Sequence, residues 1–153
     1  MDPIQFLSQD HRKILAELEQ IEAGPPEDRG PRWVRLQPEL RVHERVEDVC
    51  LYHPIARDVG SADPTLAGWE WRHTEEVREL EALMSEMGRL EPSDSAWLDR
   101  LRRVRTRLES HIRDEERTIW PRVSRVWDAG RREQAGLEME RMTAERLGVG
   151  VRP

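Results

Sequence analysis

Residues 95–120 read SAWLDRLRRVRTRLESHIRDEERTIW, and this stretch decides the fold. Its apolar residues stand at Trp97, Leu101, Val104 and Leu108, and the same spacing then brings in His111, Glu115 and Ile119. Gaps of three and four are single turns of an α-helix, so these side chains share one face. The remaining positions are mostly charged. An amphipathic helix buries its stripe, and burying this one carries an imidazole and a carboxylate into the core. Ser93 or Asp94 stands where an N-cap is needed, and Pro121 is expected to kink or end the helix.

Three more stripes have the same build. The first runs Ile4, Leu7, His11, Ile14, Leu18, Ile21, with Pro3 suited to a first helical turn and Ala23-Gly24-Pro25-Pro26 as a stop. Residues 24–31, GPPEDRGP, read as a loop by composition. The second stripe is Leu36, Leu40, His43, Glu47, Cys50, ended by Pro54 and residues 58–64, DVGSADP. The third is Leu66, Trp69, His73, Val77, Leu80, Met84, Met87, ending near Gly88. After Ala129-Gly130 the tail predicts a short fifth helix over about residues 131–147, anchored by Leu137 and Met142. No strand-like alternation competes. The expected fold is all-α: an antiparallel up-down-up-down four-helix bundle over residues 1–127, with a C-terminal helical extension over 128–153.

These stripes matter because the composition alone points toward disorder. Charged residues make up 37% of the 153 positions, against roughly 25% in an average soluble protein, and mean hydropathy is −0.83. The net charge of −6, with both signs abundant, argues against nucleic acid as a partner. No apolar run is long enough for a membrane span, and no leader-like N-terminus is seen. The single cysteine, Cys50, fits a reducing cytoplasm. Cys50 itself is expected as a small core residue, and the six tryptophans as core and end-plug residues without chemistry.

Each stripe carries one histidine: His11, His43, His73 and His111. Glu47 and Glu115 follow two of them by four residues, about 40° around the helix and one turn along it. In antiparallel neighbours, positions equally far from a shared loop lie at one height. By that measure the four histidines and two glutamates meet in one layer of the bundle, to within about a turn. Burying such groups is costly unless each is satisfied. A fully paired polar network is one solution. A metal is a more direct one, since imidazole and carboxylate are common ligands. Two carboxylates among four histidines bridge two ions more naturally than they surround one. Iron, manganese and zinc all suit this donor set.

The order H…HxxxE…H…HxxxE, here His11, His43–Glu47 (HERVE), His73 and His111–Glu115 (HIRDE), resembles the hemerythrin-like HHE cation-binding family over about residues 4–127. Asp10 before His11 adds to the resemblance, as do the acid and later proline after each HxxxE: Asp48 with Pro54, Glu116 with Pro121. The Glu-x-x-His pattern of ferritin-like proteins is absent. The resemblance implies a site of two iron ions with a bridging oxo, hydroxo or water. Glu47 and Glu115 would bridge, His11 and His43 would hold one iron, and His73 and His111 the other. Such sites bind or react with dioxygen, peroxide or nitric oxide.

The chain departs from the oxygen-carrying members at one position. Those have a fifth histidine four residues after the third, where this chain has Val77. An open coordination position favours reaction over simple reversible binding. Glu44 and Glu76 are the further candidate ligands. Tyr52, nine residues beyond His43, lies about 180° from it on an ideal helix. A helix distortion near Pro54 would bring Tyr52 to the metals as a ligand or hydrogen-bond donor. His53 is expected at the surface or in a cap. The leading functional expectation is a di-iron protein that disproportionates peroxide in a catalase-like way or otherwise protects against oxidative stress. A module that binds or senses oxygen, nitric oxide or iron without turnover is the alternative, with the C-terminal helix as its readout. A metal-free helical interaction domain is the third. No protein partner is indicated.

Overall fold

The structure is a computed structural model and describes residues 1–148. Its helices are α1 (Pro3–Ala23), α2 (Pro26–Glu47), α3 (His53–Val59), α4 (Pro64–Met87), α5 (Ser95–Asp114), α6 (Trp120–Val126) and α7 (Ala129–Leu147). Two five-residue π turns, Asp48–Tyr52 and Glu115–Ile119, join α2 to α3 and α5 to α6. The backbone stays right-handed helical through these junctions. The chain therefore makes four long rods: α1, α2–α3, α4 and α5–α6. α1 packs on α2 and α5, and α4 packs on α3 and α5, which closes the four-helix bundle.

Local chemistry sets the helix starts. Asp2 accepts the Ile4 N–H at 2.9 Å, Asp63 the Leu66 N–H at 3.1 Å, and Asp128 the Arg131 N–H at 2.8 Å. Each aspartate satisfies a donor that has no partner within its own helix. Asp94 holds the N-cap position of α5 without a side-chain hydrogen bond.

Several boundaries differ from the sequence reading. The expected loop over residues 24–31 shrinks to Gly24-Pro25, because α2 already begins at Pro26. Pro26 has the fixed φ a first helical turn needs, and Glu27 and Asp28 complement the helix dipole there. Pro31 and Pro38 then sit inside α2, each removing one backbone hydrogen bond. Pro54 and Pro121 do not stop their helices either. Just before each, an N–H reaches back five residues: His53 to the Asp48 carbonyl, and Trp120 to the Glu115 carbonyl. The widened turn relieves the clash a proline ring makes with the preceding turn, so both helices run on.

The apolar core is in two parts. One contains Leu7, Val46, Leu51, Ile55, Ile119, Val123 and Trp127, and the other Ile14, Leu18, Leu40, Leu80, Trp97, Val104 and Leu108. The histidines of the four stripes lie between them in sequence and in space. α7 packs along α1 and α2 and completes the first part with Ala135, Met139 and Met142. Leu137, expected to anchor this helix, is 56% exposed. It lies two positions from Ala135 and Met139 and hence on another face, whereas Met142, the other expected anchor, is buried. The last five residues of the expected 128–153 extension lie outside the described residues. Trp71 also departs from expectation: five tryptophans are buried, whereas Trp71 is 71% exposed.

Candidate metal centre

Seven titratable side chains are buried in the middle of the bundle: His11, His43, Glu44, Glu47, His73, His111 and Glu115. The Nε2 atoms of all four histidines approach the three carboxylates. His43 Nε2 lies 3.0 Å from Glu47 Oε1, and His11 Nε2 lies 3.5 Å from the same oxygen. The other oxygen of Glu47, Oε2, lies 3.0 Å from His73 Nε2. Glu115 is shared in the same way, with Oε2 3.2 Å from His11 Nε2 and Oε1 3.1 Å from His111 Nε2. Each of these two glutamates therefore turns one oxygen to the His11 side and the other to the His73–His111 side. Glu44 serves one side alone, with Oε2 2.9 Å from His73 Nε2 and 3.6 Å from His111 Nε2.

The outer nitrogens are also fixed by carboxylates. Nδ1 of His43 pairs with Asp10 at 3.2 Å, that of His73 with Asp48 at 2.7 Å, and that of His11 with Glu116 at 3.3 Å. His111 Nδ1 pairs with Glu76. An imidazole that donates Nδ1–H to a carboxylate is held as the tautomer whose Nε2 lone pair points inward. Glu76 thus stands at the outer edge of His111, whereas Glu44, the other additional candidate, reaches the interior.

Most of the inward atoms have no hydrogen-bond partner. These are Nε2 of His11, His43 and His111, both oxygens of Glu44, Glu47 Oε1 and Glu115 Oε2. They approach one another at bonding distance, yet the contacts are not aligned as hydrogen bonds. A buried polar atom in this state costs about 1–3 kcal/mol, so so many in one layer call for a shared partner. Two groups have donor atoms close enough to hold one ion each: His11, His43 and Glu47, and Glu44, Glu47, His73 and His111, all within 4.8 Å inside a group. Imidazole nitrogens and carboxylate oxygens converging without aligned hydrogen bonds fit a metal site.

The sequence profile of the hemerythrin HHE cation-binding domain matches residues 2–123. The chain belongs to this family. The HHE domain also resembles a solved structure, a hemerythrin HHE cation-binding domain-containing protein from Mycobacterium kansasii. The two share 25% sequence identity with a TM-score of 0.79, over 97% of this chain and 88% of the other. No curated protein matches the chain.

Electrostatics in this HHE domain follow from the crowding of opposite charges. Burial alone would push the imidazoles down, but Glu115 and Glu47 prevail at His11 and raise it to about 9. His43, His73 and His111 are raised well above the usual histidine range, again against burial, by Glu47, Asp48 and Glu115 respectively among their neighbours. Glu44 is lowered to about 2, where burial is overcome by His111. Glu47 is lowered too, with burial overcome chiefly by His43. The layer favours positive charge among its carboxylates, whether that charge is a proton or a cation.

The π turns bring aromatic side chains to this layer. One inserted residue turns the helix back by about 100°, which takes Tyr52 from the far side of α2 toward the His43 face. Tyr52 is buried and donates its O–H to Glu115 Oε1 at 2.7 Å. It accepts the indole N–H of Trp120 at 3.0 Å. Trp120 stacks on His11, with ring centroids 5.0 Å apart and planes at 10°. Trp69 stacks on His111 at 5.7 Å and 21°. The sequence reading gave the tryptophans no part in the site. A signal was present: Trp120 stands nine residues after His111, as Tyr52 stands nine after His43.

Three other positions lie outside the layer. His53 pairs with Glu70 at 3.2 Å and is partly exposed. Cys50 is buried against Met142, its sulfur 3.9 Å from the thioether. Val77 is half-buried beside Glu44 and brings no donor atom to the layer.

Proposed function

We propose that this HHE domain holds two iron ions and reacts with peroxide or dioxygen. The observation that carries the reading is the division of Glu47 and Glu115, each with one oxygen toward either histidine set. Carboxylates shared in this way suit a bridge between two ions. His11 and His43 would hold one iron, and His73, His111 and Glu44 the other. Glu44 supplies the donor that Val77 lacks. Iron would supply electron exchange with the oxygen species.

The protein's own groups prepare that chemistry. The outer carboxylates of Asp10, Asp48, Glu76 and Glu116 hold the imidazoles in place and raise their basicity as donors. Tyr52 keeps a proton at Glu115 Oε1, on the Glu44 side of the layer, because burial and then Glu115 push its phenol well above the usual range. The stacked rings of Trp69 and Trp120 keep bulk water from two of the histidines. A reducing cytoplasm is the setting we propose for such a protein, in keeping with its single buried cysteine.

Metal analysis combined with oxygen evolution tests this reading. The protein purified from iron-fed cells should carry two irons per chain, and added peroxide should release oxygen faster than free iron achieves. Iron without turnover would favour binding or sensing, and His111→Ala retaining both irons would overturn the assignment of the site.

A further inference from the structure

A cavity of about 260 Å³ opens between α2 and α4. Its walls include Leu40, Leu80, Met84 and Val77, and the buried Glu44 is part of the same lining. Both oxygens of Glu44 are buried and lack hydrogen-bond partners. Arg41 grips Glu81 from across the gap, at 2.8 Å and 3.3 Å. A liquid water occupies about 30 Å³, so the cavity has room for several molecules of that size.

We propose that this cavity is the route by which small uncharged molecules reach the metal centre, and that Val77 sets its width. The inference rests on the metal reading above and adds the path and the class of molecule that uses it. The mostly apolar walls admit a neutral solute without stripping a charge of its water. The lining also carries three acids, Glu44, Asp48 and Glu81, against two arginines, Arg41 and Arg45, so it gives an approaching anion no net attraction. Peroxide in its protonated form, dioxygen and nitric oxide meet both conditions.

Other openings near the layer end differently, and one of about 250 Å³ between α4 and the second π turn stops at Trp69, whose ring lies on His111. A cavity of about 170 Å³ beside Glu76 and Thr106 meets His111, whose outer nitrogen is closed by Glu76. A groove of about 550 Å³ between α1 and α6 stops at Trp120 and Glu116. There the indole lies flat on His11. The cavity at Val77 instead has in its lining Glu44, a side chain assigned to hold iron.

The test uses the ferrous protein, mixed anaerobically with nitric oxide and followed by absorbance and spin resonance of the nitrosyl product. Val77→Trp should slow association by about tenfold or more, and Val77→Ala should speed it, with iron content unchanged. Thr106→Trp fills the cavity beside Glu76 and should change the rate by less than about twofold. Equal rates in all variants, or slowing by Thr106→Trp alone, would overturn the route. Xenon pressed into crystals of the iron-free protein gives a separate reading. Density between Leu40, Val77 and Met84 supports the cavity whichever metal the site takes, and its absence there contradicts it. Failure of the wild-type protein to take up iron would count against the metal assignment, while the xenon result would still decide the cavity.

Discussion

Trp120 donates its indole N–H to the Tyr52 hydroxyl at 3.0 Å, and the two residues hold the same place in the two halves of the chain. Each stands nine residues after the histidine of an HxxxE motif and two or one before a proline. Tyr52 ends the π turn Asp48–Tyr52, and Trp120 directly follows the π turn Glu115–Ile119. The site is thus built from a repeated device: histidine, glutamate, a widened turn, then an aromatic ring turned inward. The repeat is unequal where it matters. Only the first copy has an acid directly after its histidine, Glu44, and at that place the second has Ile112.

The pair makes a prediction about stability. Tyr52→Phe strands the Trp120 N–H and removes a donor from Glu115, which should cost about 1–3 kcal/mol. Trp120→Phe alone should also destabilise. The double variant should lose less than the sum, because no unpaired donor remains. Urea melts of the four proteins check this, and strict additivity would contradict the coupling.

The outer carboxylate of His111 should matter although it stands outside the layer. Glu76→Gln weakens the acceptor for Nδ1–H, and metal affinity should fall about 10–100-fold. Competition with a chromogenic chelator measures it. An unchanged affinity would mean that Glu76 is a solvated side chain serving only Arg72, with which it also pairs at 3.1 Å.

α7 should behave as part of the core. Met139→Ala, at a fully buried position, should cost about 2–5 kcal/mol. Leu137→Ala, at an exposed one, should stay within about 0.5 kcal/mol. The two melting curves distinguish a docked helix from a loose tail.

Cys50 should resist alkylation in the folded protein. Burial, followed by the charge of Glu138, pushes its thiol up to about 11. An acid raised in the folded state keeps its proton as pH rises past its unfolded value near 8.5. The linked stability is therefore unaffected below that value and falls as pH climbs toward 11. Iodoacetamide at pH 9 should react quickly in urea and slowly in buffer. Equal rates would show an open thiol.

Much of this was legible in the sequence. The stripes identify the bundle because an inward residue every third or fourth position leaves little freedom. For the same reason His11, His43, Glu47, His73, His111 and Glu115 stand out as polar breaks in apolar faces. The proline-rich start of α2 was not legible, since proline signals either a loop or a first turn, and burial of Trp33 and Leu36 decides which. Trp120 and Tyr52 are out of phase with their stripes, and only the π turns bring them in. A turn of that kind depends on tertiary packing and leaves no periodic mark. Glu44 lies about 100° from His43 on the helix, so the sequence offers it only as a further candidate, and its burial against His73 settles where it points.

We propose that Glu47 and Glu115 are shared between two iron ions. Anomalous scattering at the iron edge from a crystal of the iron-loaded protein tests it most directly. Two peaks about 3.5–4 Å apart are expected, one beside His11 and His43 and the other beside His73, His111 and Glu44. A single peak, or iron bound away from these residues, would contradict it.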